Sequence, residues 1–514
     1  MTPETQYATV ALQASTENDL RTLTEFADFW KTPYSTDVSS SPTQVIMSSG
    51  ALSESEATTH PTVLSPTGPE NARKICERLH LDLDMDTSLV HLRFSRSAET
   101  SIATTVYRFK GPALETVIDS DGIPILSRIG TTNIYLLSID LASEYAIRLS
   151  DGLEDPPSMK FRIATRLPFS YRMIPSFIRN RAFKRDEPTE VAKEKLAPLE
   201  CLRSVFLASL LTASEAPIPI IGFWRRGKKF AAAVTHDVET AQGLVNGSQQ
   251  LLRVEEDLKI RSTWNIVTNR YQLTREKLRP LALAGEIGAH DTNHDGRLIF
   301  LPADAQIERL RSCKAVLEKL AESRVKGFRA PLLQHDKKLL GSVGRAGYGF
   351  DSSVPSWELL SPTSLRSHGV GTVFPLEVEG IVEAPVSLPQ DHQLLRVSGL
   401  TPSEAGNTLI EQSRWLREIG GLCTLLVHPD YDFATQADSE EYSRVLRAFN
   451  EDPSCDIMTL GEVSDWWSYR QSAVLEISDD GPRISSIMKE EGGDLEIKMA
   501  TSYGKNGFII DHLN

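Results

Sequence analysis

A chain of 514 residues is too long for one hydrophobic core, and a norm of about one domain per ~150 residues leads to an expectation of two to four domains. With 40% hydrophobic and 24% charged residues it reads as globular, and a formal charge of −14 without a long basic cluster argues against nucleic acid and against an anionic membrane surface as partners. Five scattered cysteines, odd in number and without a CxxC pair, argue against both a disulfide framework and a thiolate zinc site.

The start, "MTPETQYATVALQASTENDL", lacks the basic and apolar regions of a secretory signal, and no apolar run approaches the ~18 residues of a membrane span, so a cytoplasmic protein is expected. Residues 1–66, with "STDVSSSPT" and "SGALSESEATTHPT", hold few large apolar residues beyond "LRTLTEFADFW" and read as a flexible arm with one short helix. From 67 to 165, "SLVHLRFS", "TTNIYLLSID" and "YAIRLSDG" are strand-like and "DSDG" is a turn, which predicts a small β-rich or α+β domain. Residues 166–224 combine basic, proline-punctuated segments with "LRSVFLASLLTA", read as a packed helix connecting two domains.

Between 225 and 470 short apolar strands alternate with amphipathic helical stretches. The strands are "FAAAVT", "STWNIVT", "GEIGAH", "KGFRAP", "YGFDSS", "IVEAPVS" and "CTLLVHP"; the clearest helices span 304–322 and 403–418, where apolar residues recur at three and four. Such alternation predicts a parallel sheet covered by helices, and about seven repeats predict an α/β fold closed as a (β/α) barrel. The tail, 471–514, punctuated by "SDDG", "EEGGD" and "YGKNG", reads as a short β appendage.

Catalytic groups of parallel α/β proteins gather at the carboxyl ends of the strands. Five strand ends here deliver ionisable side chains to one rim: His236, Asp237 and Glu239; His290, Asp291 and His294; Arg329; Asp391; and His428. The i, i+4 spacing of His290 and His294 brings two imidazoles to one side, and a carboxylate from a neighbouring strand completes a set that suits zinc, iron or a similar divalent cation. The plain alternative is a solvated loop with two exposed histidines. Gathering so many ionisable groups favours the metal, because burying them is costly unless they pair or bind an ion.

Taken in order, "FAAAVTHDVE", "STWNIV", "GEIGAHDTNHD", "GFRAP", "YGFDSS" and "LLVHP" resemble the successive motifs of the polysaccharide deacetylase family, also called carbohydrate esterase family 4, over about half of the chain. The resemblance implies a distorted (β/α) barrel that removes acetyl groups from N-acylated sugars with one divalent ion, expected to be zinc. It implies that His290 and His294 bind the metal and that Asp237 is the catalytic base. Where most members carry two adjacent aspartates this chain has Asp237, Val238 and Glu239; by analogy with a His-Asp-Val-Asp subset, Glu239 is the third ligand, and the alternative is that Asp237 ligates. Arg329 would orient Asp237, His428 would be the general acid, and Asp391 would hold and charge His428. His236 stands where many members have phenylalanine and reads as a packing residue, with substrate contact left open.

The expected function is thus a metal-dependent hydrolase of an N-acylated sugar or glycan conjugate, with no organic cofactor and, for a cytoplasmic enzyme, a soluble or lipid-linked glycan precursor as substrate. Two alternatives stand beside it: hydrolysis of a non-sugar C–N amide bond on the same barrel, and a catalytically silent barrel that binds glycan. The tryptophans of "VSDWWSY" read as packing at the barrel's end rather than as a sugar-stacking platform.

Overall fold

The computed structural model describes residues 7–37, 44–50, 59–93, 99–166, 193–478, 480–486, 494–502 and 508–512. The chain divides into two compact units, one formed by residues 1–149, 197–226 and 469–514, the other by residues 150–196 and 227–468.

In the first unit β1 (Thr9–Ala14), β2 (Tyr34–Ser35), β3 (Gln44–Ser49) and β4 (Thr62–Ser65) precede a long antiparallel hairpin of β5 (Asp82–Arg93) and β6 (Glu99–Lys110), followed by β7 (Leu114–Ser120), β8 (Ile123–Ile129), β9 (Ile134–Leu137) and, later, β10 (Ile218–Ile221). Seven of these strands form one sheet in the order β2-β1-β3-β4-β9-β8-β7, parallel through β9 and antiparallel beyond it. The expected flexible arm is therefore wrong for the described residues before 66, which supply four strands and the helix Glu17–Trp30. Its Thr16 side chain caps the Asp19 amide at 3.1 Å, Leu23, Phe26, Ala27 and Trp30 are buried, and Trp30 Nε1 donates to the Arg203 carbonyl at 3.0 Å. Composition is a poor guide here because a short strand such as β3, "QVIMSS", buried at every residue, adds few large apolar residues to a Ser/Thr-rich stretch. Residues 38–43 and 51–58, within the two Ser/Thr-rich stretches, lie outside the described residues.

A second correction concerns "YAIRLSDG", read as a strand; it is the later part of the helix Leu141–Gly152. Asp140 starts that helix by accepting from the Ser143 amide at 2.9 Å, and Tyr145 packs edge-on against Phe26, ring centroids 4.8 Å apart. The segment "LRSVFLASLLTA" lies in the helix Pro198–Ser214, which is buried along nearly its whole length and packs on β3, β4, β5 and β6, so it belongs to the core of the first unit rather than to a connection. The rest of that expected connection, 167–192, is outside the described residues.

The second unit carries β11 (Phe230–Val238), β12 (Thr263–Ile266), β13 (Glu286–Ala289), β14 (Gly327–Phe328), β15 (Phe350–Asp351), β16 (Leu376–Val378), β17 (Ile381–Glu383), β18 (Leu422–Leu426) and β19 (Cys455–Ile457). Their order is β16-β17-β15-β14-β13-β12-β11-β18, with β19 also on β11, and every pairing is parallel except β16 with β17. All seven expected strands are present. The sheet curls until its ends meet: Leu388 N, just past β17, donates to Thr424 O of β18 at 3.4 Å, and Val386 packs with Leu333 and Leu426. The result is a distorted (β/α) barrel. The expected helices occupy Ala303–Ala321 and Pro402–Ile419, and Trp466 and Trp467 are buried.

After the barrel come β20 (Ala473–Ser478) paired with β21 (Gly481–Ser486), then β22 (Ile497–Ser502) and β23 (Phe508–His512). The tail is β-structured as expected, yet it is no independent appendage, because β22 and β23 complete a three-stranded sheet with β10 of the first unit.

Candidate active site

Nine consecutive buried residues make up β11, and strand alternation places Thr235, Asp237 and, just beyond the strand, Glu239 on one face with His236 on the other. His236 is wholly buried: its Nδ1 is 2.9 Å from Val427 O, its Nε2 2.7 Å from Glu255 Oε1, and its ring lies on Trp264 with centroids 4.1 Å apart. It packs the back of the strand, and nothing in these contacts supports a role in touching substrate.

Past β13 the chain turns through two residues of left-handed backbone, Asp291 at φ 66° and His294 at φ 51°, and this brings the His290 and His294 rings to 5.2 Å between centroids. His290 Nδ1 lies 2.8 Å from the Arg329 carbonyl, which can only accept, so Nδ1 carries the proton and Nε2 keeps a bare lone pair. Burial, working with His294 and against Asp237 and Glu239, pushes His290 below the usual imidazole range, which keeps it neutral as a ligand must be. Asp291 is absent from this cluster: Arg309 Nε donates to its Oδ1 at 2.6 Å.

One ligand atom each from Glu239, His290 and His294 lies within 4.8 Å of the others. The Nε2 atoms of both histidines are buried without a hydrogen-bond partner, although His294 Nε2 is 3.1 Å from Glu239 Oε1. A buried polar atom left unsatisfied costs about 1–3 kcal/mol, and two ring nitrogens converging with a carboxylate are satisfied together by a divalent cation. The residues present fit the metal that the sequence implied.

Asp237 stands beside this triad. Its Oδ1 accepts from Asn265 Nδ2 at 2.8 Å and lies 3.3 Å from Arg329 Nη1, while Oδ2 is 3.7 Å from His290 Nε2. Burial works against its charge, but the neighbouring positive charges of Arg329 and His428, with the hydrogen bond from Asn265, outweigh burial and hold the carboxyl below its ordinary range. Arg329 is itself fixed by the Ser352 carbonyl, the Ser352 hydroxyl and the Thr235 hydroxyl, at 2.8, 2.7 and 2.7 Å.

Opposite them, His428 follows β18. Asp391 grips it twice, accepting from the His428 backbone amide at 2.8 Å through Oδ2 and standing 2.6 Å from Nδ1 through Oδ1. Burial would lower the imidazole's pKa, yet Asp391, backed by Glu239 and Asp237, carries it up to about 9. The remaining nitrogen, Nε2, is 3.8 Å from Glu239 Oε1, so it faces the same space as the triad. All seven expected residues thus converge: Asp237, Glu239, His290, His294, Arg329, Asp391 and His428.

Sequence reading missed the residues that hold these. Asn265 lies in the quoted "STWNIV", and its position was readable from pairing, since Asn265 is the register partner of Asp237 between β11 and β12. Asp430 accepts from the Glu239 amide at 3.3 Å, and Tyr431 packs edge-on to His428 with centroids 5.1 Å apart; both sit in the loop after β18 and carry no local sequence signal.

Residues 225–350 match the family model described as polysaccharide deacetylase. No curated protein sequence is detectably similar to the chain. Among solved structures, a provisionally named polysaccharide deacetylase of Mycobacterium smegmatis is 20% identical, over 47% of this chain and 91% of that one, with a TM-score of 0.41. The peptidoglycan deacetylase PdaC of Bacillus subtilis is 15% identical over 48% of this chain and 95% of its own, at a TM-score of 0.33. The chitin deacetylase of Colletotrichum lindemuthianum is 15% identical over 47% and 89%, at 0.32.

Proposed function

We propose that the barrel, whose residues 225–350 match the polysaccharide deacetylase family model, is a metal-dependent hydrolase that removes an acetyl group from an N-acylated sugar or glycan conjugate. The observation that carries this reading is the convergence of Glu239, His290 and His294 on one point, flanked by a carboxylate kept charged and an imidazole kept protonated.

Glu239, His290 and His294 would hold one divalent ion, for which we propose zinc; once bound, it supplies a Lewis acid for the amide carbonyl and lowers the pKa of water from 15.7 towards about 7. Asp237 is the base. Its Oδ1 is occupied by Asn265 and Arg329, which leaves Oδ2 to take the proton from the attacking water. His428 is the acid: with Nδ1 committed to Asp391, Nε2 delivers a proton to the departing amine, a contribution typically worth about 10²–10⁴ in rate. Arg329 positions Asp237, and Asp391 positions and charges His428.

Elemental analysis of the purified protein tests the centre, together with acetate release from a panel of N-acetylated sugars. We expect about one equivalent of zinc in the parent, lost in both His290→Ala and Glu239→Ala along with hydrolysis. A parent that takes up no metal when zinc is supplied, or that leaves every acetamido sugar intact, overturns the reading.

A further inference from the structure

Three residues beyond His294 the same loop reaches Arg297, which lines a cavity of about 430 Å³ with Arg162, Thr165, Arg166, Phe300 and Leu301. Arg162 and Arg166 are i, i+4 neighbours on the helix Met159–Arg166, a segment that buries none of its residues and contains no acidic side chain. The helix is seated on the metal-ligand loop. Gly296, two residues from His294, has φ +68°, and a Cβ there would lie 3.1 Å from Phe161 Cζ and 3.3 Å from Thr165 Cγ2. Arg297 Nε donates to the Thr165 carbonyl at 2.8 Å, and the Arg162 guanidinium stands 5.3 Å from the centre of the Phe300 ring.

Three guanidinium groups therefore converge around one space, and among the described residues none of them lies within ion-pair distance of a carboxylate. The nearest acid along the chain, Asp295, is engaged by Arg309 at 2.8 Å, and the charge of Arg297 adds to the pull that holds its carboxyl below the ordinary range. Like charges held together are unfavourable unless an anion joins them, and the planar fork of arginine matches phosphate and carboxylate oxygens.

We propose that this cavity is an oxyanion subsite, which receives a phosphate or carboxylate carried by the N-acylated sugar while its acetamido group enters the space between Asp237 and His428. The substrate is then an anionic sugar rather than a neutral glycan. This assignment rests on the deacetylase reading for the acetamido end, but the anion site itself is measurable without catalysis.

Calorimetric titration of the metal-stripped full chain reads the cavity alone. N-acetylglucosamine 1-phosphate and N-acetylmuramate are the two anionic probes, with N-acetylglucosamine as the neutral control. We expect saturable binding of one anionic probe, weakened about tenfold or more in Arg162→Ala and in Arg297→Ala, and no arginine-dependent signal from the neutral sugar. Arg297 also braces Thr165, so Arg162→Ala, which breaks no hydrogen bond among the described residues, is the variant that separates charge from structure. The probe that shows arginine dependence identifies phosphate or carboxylate as the source of the oxyanion. Equal binding by parent and both variants, or none by the parent, overturns the subsite. If anion binding depends on the arginines while no acetylated sugar is hydrolysed, the subsite stands and the deacetylase reading falls. If N-acetylglucosamine oligomers are hydrolysed while no anionic probe binds the parent, the deacetylase reading stands and the subsite falls.

Discussion

Asp237 and Glu239 are two residues apart on one face of β11, and the proposed chemistry gives them different work. Glu239 Oε1 reaches within 3.1 Å of His294 Nε2, the extra methylene carrying its carboxylate to the histidines, whereas Asp237 is tied back by Asn265 and Arg329. Sequence alone could not separate them, because strand alternation puts both on the same side; the choice is made by neighbours distant in the chain. The same holds for Asp391, which lies 37 positions from His428 and meets it only through the fold. The histidine pair, by contrast, was legible from its spacing. Asp237→Asn should therefore keep its metal and lose hydrolysis by about 10²–10⁴ in kcat. Metal analysis beside kinetics decides it: a variant stripped of metal would make Asp237 a ligand and leave the base unassigned.

At the level of elements, register determines which side chains the rim can use. Between β12 and β13, Asn265 is opposite Gly288, and a Cβ at Gly288 would sit 2.2 Å from Asn265 Oδ1. The glycine leaves room for the amide that holds Asp237. Gly288→Ala should push Asn265 off that carboxylate; losing one hydrogen bond to a charged group, worth about 1.5–3 kcal/mol, lowers kcat by roughly ten- to a hundredfold. Zinc content should stay parental, because neither residue is in the triad. Parental turnover in that variant would show that Asp237 needs no support from Asn265. The seven barrel strands were readable because each is a short apolar run ending in a polar residue. "YAIRLSDG" was not, since eight residues rich in Tyr and Ile fit either period and the cap that decides for helix, Asp140, lies outside the run. In the first 66 residues the cue was hidden for another reason: parallel strands buried on both faces show no alternation, and serines inside them look like loop.

The molecule as a whole carries an electrostatic burden inside its barrel. Asp351 of β15 and Glu383 of β17 are register partners and both wholly buried. Amides of Ser353 and Val354 donate to them at 2.9 and 3.0 Å, and Arg329 is a nearby positive charge that favours ionisation of Glu383. Burial nevertheless dominates, followed for Glu383 by the charge of Asp351, and raises both carboxyls, Glu383 well above its usual range. The folded barrel therefore holds a proton that the unfolded chain releases near ordinary carboxyl pH. Between that pH and the raised folded value the native state binds more protons, so this pair's contribution to stability is full at low pH and is lost as pH rises. Glu383→Gln copies the protonated form and removes the titration. Relative to the parent, it should gain stability on the order of 1–3 kcal/mol at pH 8, with the difference shrinking towards pH 5. Urea unfolding followed by tryptophan fluorescence reports mainly on the barrel, because Trp264, Trp357, Trp415, Trp466 and Trp467 are five of the seven tryptophans and all lie in the second unit. A variant less stable than the parent at pH 8, with the gap widening as pH rises, would mean that Arg329 holds Glu383 ionised; the guanidinium would then be shared between this pair and Asp237, and its hold on the proposed base would be the weaker for it.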